Sequence, residues 1–221
     1  MQQLSNIQCV IFDCDGVLID SEPLCCRALL NVFVCFKPNL TYSEIEKHFR
    51  GGKIADILTE TRDRLGLNIS LDELEPLYRK QTQVLFQALL QPMPGINQVL
   101  DQLDSNGVQY CVVSNSPKSK IEYYLRLTGL YEKFQGKLFS AFDANSWKPD
   151  PDLLLYAAMN MGFSTAECLY VDDSDKGIEA GLNAGIATIH FKSTLNRRSD
   201  FYPETLSISK AEQLPAILFE V

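Results

Sequence analysis

The chain has 221 residues, 46% of them hydrophobic and 22% charged, the composition of an ordinary globular protein with room for one large domain or a core domain carrying an insertion. Twenty basic residues against 28 acidic ones give a formal charge of −8, which argues against non-specific nucleic-acid binding but not against an anionic small ligand held by a local field. No apolar run reaches the ~18 residues of a membrane span, and the seven cysteines are odd in number with no Cys-x-x-Cys spacing, so neither a disulfide framework nor a zinc site is predicted.

Met1 to Asn6 carries no basic segment followed by an apolar stretch, and no leader is expected there. The expectation is a cytoplasmic, monomeric protein with reduced cysteines, without nucleic-acid or membrane partners.

Ile7 to Phe12 reads as a strand buried on both faces. After Asp20 the texture turns helical for about seventy residues. Ser21-Glu22-Pro23 is a helix start with proline in the first turn, and Thr41-x-x-Glu44 and Ser70-x-x-Glu73 have capping-box spacing. Ile54, Ile57, Leu58 and Leu65 recur at helical spacing, as do Leu74, Leu77, Val84, Leu85 and Leu89.

Beyond Gln91-Pro-Met-Pro-Gly95 strand and helix alternate. Strands are predicted over 108–113, 137–140, 168–171 and 186–191, and helices over 96–105, from Ser116-Pro117 to about Gly129, over 151–161 and over 175–184. A last short helix is expected with Ser209-x-x-Glu212 as its box. The predicted class is α/β, a doubly wound parallel sheet of residues 1–17 and 92–221, interrupted after its first strand by an all-helical insertion over 18–91.

Open parallel sheets bind ligands at the carboxyl ends of their strands, so the polar residues that close the apolar runs form one candidate site. The first strand delivers Asp13 and Asp15, the second Ser114 and Asn115, and a later one Asp172 and Asp173, with Lys148 just ahead of the helix at 151. Each group alone has a plainer reading, as a turn, a helix cap or a solvated lysine; their joint placement at strand ends does not. Four carboxylates around one spot call for a cation, and an all-oxygen donor set suits Mg²⁺. Ser114, Asn115 and Lys148 then hold a phosphoryl group. Asp13 is the candidate nucleophile and Asp15 the candidate acid and base.

The stretches "DCDGVLIDSE" (13–22), "VVSNS" (112–116), "KPDPD" (148–152) and "VDDSDKGIEAGLNAG" (171–185) resemble, in order, the four motifs of the haloacid dehalogenase-like hydrolase superfamily. The helical insertion resembles the type-1 cap of its β-phosphoglucomutase-like branch. The resemblance implies a Mg²⁺-dependent phosphatase working through an aspartyl-phosphate on Asp13. Asp15 is then the acid/base with its carbonyl on the metal, Asp173 the direct ligand and Asp172 its partner. The dehalogenases of the family lack the second aspartate of the first motif, so Asp15 favours phosphoryl chemistry.

In the insertion, Arg50 and Lys53 flank two glycines in "FRGGKIAD", and Lys80 stands in "YRKQTQ"; these are the candidates for reading the leaving group of a small phosphorylated metabolite. A sugar or sugar-acid phosphate such as 6-phosphogluconate gives them an anion to pair with. A mutase of the branch uses a histidine and an arginine where this chain has Cys25 and Ile54, which counts against isomerase activity. A receiver-like or merely phosphate-binding domain is the non-enzymatic alternative. His48 and His190 read as structural.

Overall fold

The computed structural model describes residues 6–192, 202–203 and 205–219. Apart from Asn6, the N-terminal stretch on which the leader expectation rests lies outside them. Two compact units are formed, Met1–Asp20 with Gln91–Val221, and Ser21–Leu90.

The first unit opens with β1 (Cys9–Asp13), buried along its whole length. A tight turn follows, in which Leu18 N and Ile19 N both donate to Cys14 O, at 3.0 and 3.1 Å, and Gly16 takes φ 80°. That left-handed conformation favours glycine. The chain then runs beside its own return: Met93 N donates to Leu18 O at 2.8 Å and Asp20 N to Gln91 O at 3.0 Å, either side of a bridge between Ile19 and Pro92.

Between these points lie four helices, α1 (Glu22–Phe33), α2 (Tyr42–His48), α3 (Ile54–Arg64) and α4 (Leu71–Leu89). The Thr41–Glu44 box forms in both directions, whereas Ser70 caps α4 through Glu73 N alone, the Glu73 carboxylate meeting the Ser70 hydroxyl. α4 forms where the helical spacing places it. It buries Leu74, Tyr78 and Phe86 and turns Leu77, Val84 and Leu89 outward. The face that packs on α1 and α3 is set by the two aromatic rings, with Asn31 Nδ2 donating to Gln81 Oε1 at 3.0 Å across the α1–α4 pair.

The first unit resumes with α5 (Ile96–Ser105), β2 (Gln109–Ser114), α6 (Lys118–Leu127), a short α7 (Tyr131–Phe134), β3 (Leu138–Ser140), a short α8 (Ala141–Ala144), α9 (Asp152–Met161), β4 (Cys168–Asp172), α10 (Asp175–Asn183), β5 (Ala187–Phe191), β6 (Leu206–Ile208) and α11 (Gln213–Phe219). The short α7, α8 and β6 carry too few periodic residues to be read in advance. The expected Ser209–Glu212 box gives way to a later start, where Gln213 Oε1 accepts from Ser209 N and Lys210 N at 2.8 and 3.0 Å.

Among the described residues six strands run parallel in the order β3-β2-β1-β4-β5-β6, the doubly wound class expected from the sequence. Strand period two assigns the faces. Cys9 and Ile11 of β1, Cys111 and Val113 of β2, and Cys168 and Tyr170 of β4 meet α9 and α10 through Leu153, Leu154, Ala157 and Ala180. Val10, Phe12 and Val171 face the other way; Phe12 and Val171 lie beside Ile96 and Val99 of α5 and Leu214 of α11. Five of the seven cysteines are buried, Cys25 is half-buried and Cys35 is exposed at the end of α1. Among the described residues, no helix is long and apolar enough to cross a membrane.

α10 lies close on the sheet because Gly181 has no side chain: a Cβ there would collide with Thr188 Oγ1 and stand 2.9 Å from Tyr170 Cδ1. Overpacking of this kind costs about 1–3 kcal/mol, more than the ~1 kcal/mol that alanine gains over glycine in a helix. Gly181→Ala is therefore expected to lower the unfolding free energy by about 1 kcal/mol. Urea denaturation with an unchanged m-value checks it, and a higher midpoint would refute the packing argument.

Candidate active site

The sheet register itself creates the site. Phe12 pairs with Val171, so the next residues, Asp13 and Asp172, stand at one level on neighbouring strands and on one face. Adjacent strands lie only about 4.8 Å apart. Asp13 also pairs with Val113, which places Ser114 one step further along on the other side. Two buried carboxylates at that separation repel, and one must be neutralised or compensated.

Lys148 supplies the compensation from the loop between α8 and α9. Its ammonium donates to Asp13 Oδ1 and, at 2.8 Å, to Asp172 Oδ2, with the lysine 7% exposed. The loop that carries it is fixed by Asn115, whose Oδ1 accepts from Lys148 N at 3.0 Å. Asn115 thus uses its side-chain oxygen to hold Lys148, a role that the strand-end pattern does not reveal. Ser114 is buried, and its Oγ accepts from Ser116 N at 3.1 Å.

Asp172 is fully engaged. Its Oδ2 accepts from Lys148 and from the Tyr170 hydroxyl, and its Oδ1 from Ser174 N at 2.8 Å and Ser174 Oγ at 2.7 Å. The same Ser174 hydroxyl caps α10 by accepting from Gly177 N at 3.1 Å. Gly177 is required here, because a Cβ would occupy the place of the Asp172 carboxylate. Asp173 is buried, with its carboxylate packed over Gly16. Its backbone oxygen accepts from Nε2 of the buried His190 at 3.3 Å. Burial pushes His190 below the usual histidine range, with the Asp173 carbonyl opposing. Tyr170, Ser174 and His190 join the site without having been foreseen, since in sequence they read as strand or cap residues.

Asp13, Asp172 and Asp173 offer one oxygen each within 4.8 Å of one another. Asp15, the fourth carboxylate expected, is half-buried in the turn after β1 and stands outside that group. Burial pushes Asp13 up to about 7, with Lys148 opposing and Asp172 adding to the rise. Burial works against Asp172 too, but the Lys148 charge and the donors of Lys148, Tyr170 and Ser174 hold it below the usual carboxylate range. Lys148 lies above its ordinary value despite its own burial, because Asp13 and Asp172 flank it. Three carboxylates converge there, and the donors they offer are all oxygen. The residues therefore fit a hard divalent cation.

The three cations of the insertion belong to the other unit. Arg50 folds back so that its Nη1 donates to Phe49 O at 2.7 Å and to Lys47 O at 3.2 Å, and it lines a cavity of about 220 Å³ with His48, Glu60 and Arg64 over Leu29 and Ile57. Lys53 precedes α3 and Lys80 lies on α4, both exposed.

The profile of the haloacid dehalogenase-like hydrolases matches residues 10–191. The 6-phosphogluconate phosphatase of Escherichia coli (strain K12) is 33% identical over 97% of this chain and 96% of its own length. The phosphorylated carbohydrates phosphatase of Thermotoga maritima is 25% identical over 97% of this chain and all of its own. A conserved haloacid dehalogenase-like protein of Agrobacterium tumefaciens superposes with a TM-score of 0.84 at 26% identity, covering 96% of this chain and 97% of that one. With its four motifs on one sheet edge and these relatives at full-length coverage, the chain belongs to the haloacid dehalogenase-like hydrolase family.

Proposed function

We propose that the chain is a Mg²⁺-dependent phosphatase of small phosphorylated metabolites that works through an aspartyl-phosphate on Asp13. The observation that carries this reading is the shared ammonium of Lys148, which ties Asp13 to Asp172 at the carboxyl edge of the sheet. A lysine so held orients the Asp13 carboxylate and leaves a positive charge where phosphoryl oxygens would lie.

In the first step an oxygen of Asp13 attacks phosphorus and the ester oxygen departs with a proton from Asp15. Water then attacks the aspartyl-phosphate, gives its proton to Asp15, and releases phosphate and the free Asp13 carboxylate. Ser114 and Asn115 hold the phosphoryl group with Lys148, Asn115 also through its grip on the Lys148 backbone. Asp13, Asp173 and the Asp15 carbonyl are the groups to hold Mg²⁺. Asp172, with both oxygens taken, serves the site by holding Lys148 instead. The metal, when bound, offsets the charge of the phosphoryl oxygens.

The substrate proposed is a sugar or sugar-acid phosphate, with 6-phosphogluconate the first candidate. The names of the two phosphatase relatives support the class, and the exposed Lys53 and Lys80, with Arg50, offer cations to an anionic leaving group. Cys25 and Ile54 supply neither the acid-base group nor the cation of a mutase, so hydrolysis is favoured over isomerisation.

Phosphate release from a panel of sugar and sugar-acid phosphates tests the reaction. Turnover is expected to require Mg²⁺, to stop on chelation with EDTA and to return when the metal is restored. Asp13→Asn is expected to lower kcat by about 10³-fold or more; a variant within tenfold of wild type would remove Asp13 as nucleophile. For the substrate, Arg50→Ala and Lys53→Ala should together raise KM for 6-phosphogluconate by about tenfold while para-nitrophenyl phosphate turnover stays level. Equal effects on both substrates would count against leaving-group recognition.

A further inference from the structure

Tyr170 takes no part in the two steps above, yet it is fully buried with its hydroxyl directed at the site. Residues 170 and 172 share a face of β4, and the tyrosine hydroxyl donates to Asp172 Oδ2, the oxygen that also accepts from Lys148. The ring lies beneath the same ammonium, with Lys148 Nζ 5.4 Å from its centroid. Phenylalanine would fill the strand position equally well, and burying a hydroxyl costs free energy unless a partner repays it.

We infer that Tyr170 is a positioning residue that holds Asp172 in the orientation in which Lys148 is shared with Asp13. Each Asp172 oxygen has two donors, which fills its lone pairs. Without the tyrosine hydroxyl, Oδ2 keeps Lys148 as its sole donor. The ion pair then tightens on Asp172, and the ammonium is drawn away from Asp13. Tyr170 is fully buried and acts through Asp172, so the consequence falls on the transferred phosphoryl group and not on the binding of the leaving group. The inference rests on the phosphatase reading of Asp13 and Lys148.

The test is Tyr170→Phe in the full chain, assayed with Mg²⁺ and para-nitrophenyl phosphate, beside Asp13→Asn, Asp172→Asn and the Tyr170→Phe/Asp172→Asn double variant. Groups that orient active-site carboxylates are commonly worth 10–100-fold. The expected result is kcat lower by about tenfold per folded molecule, with KM within about twofold. In the Asp172→Asn background the same change should alter kcat by less than about twofold, because the group it acts through is already altered. Thermal midpoints of all variants separate lost folding from lost positioning. An unchanged kcat in Tyr170→Phe, a rise in KM alone, or an undiminished loss in the Asp172→Asn background would overturn the inference. Full activity in Asp13→Asn would instead overturn the phosphatase reading on which it rests.

Discussion

Two parallel strands in register bring Asp13 and Asp172 side by side in the protein interior, and the ammonium of Lys148 is what makes that arrangement tolerable. Buried carboxylates are costly unless paired and hydrogen-bonded. The other parts of the site follow from satisfying this pair. Asn115 anchors the lysine loop, Tyr170 and Ser174 fill the remaining valences of Asp172, and Gly177 leaves it room. Asp173 brings a third carboxylate oxygen within 4.8 Å of those of Asp13 and Asp172, and burial leaves Asp13 pushed up to about 7. The all-oxygen donor set is what suits the cluster to a hard cation.

The sequence carried the fold where chemistry and periodicity agreed. The short apolar, β-branched and aromatic runs of β1 and β4 read as strands covered on both faces, and the polar residues that end them mark the carboxyl edge of the sheet. Asp13, Ser114, Asp172 and Asp173 stand out for that reason, and Lys148 for its place just ahead of α9. Tyr170 and His190 do not, because an aromatic residue inside a strand looks like core until its hydrogen-bond partner is seen. α4 shows what periodicity leaves open. Leu77 and Val84 fit a helical period as well as Tyr78 and Phe86 do, and only the packing of α1 and α3 decides which face is buried.

The two units carry different kinds of information. Every side chain proposed for the phosphoryl chemistry comes from the strand ends and loops of the sheet unit, where buried hydrogen bonds tie Lys148 to Asp13 and Asp172. The cations proposed to read the leaving group come from the helical unit and are exposed, on segments such as the turn of Gly51 and Gly52, where the backbone takes φ 63° and 100° and nothing stands near a Cβ. Substitutions in the first group disturb a closed network of valences. Those at Lys53 and Lys80 in the second meet mainly solvent.

The antiparallel contact of residues 18–20 with 91–93 has a consequence for the history of such a chain. Because the outgoing and returning backbones are hydrogen-bonded to each other at the point of departure, the sheet unit closes on itself whatever is carried beyond Asp20 and Gln91. A longer bundle, a shorter one or a bare turn spans the same small gap with little added loop-closure entropy. The proposed reading of the leaving group can thus change by exchange of one contiguous segment, while the residues proposed for the phosphoryl chemistry keep their register.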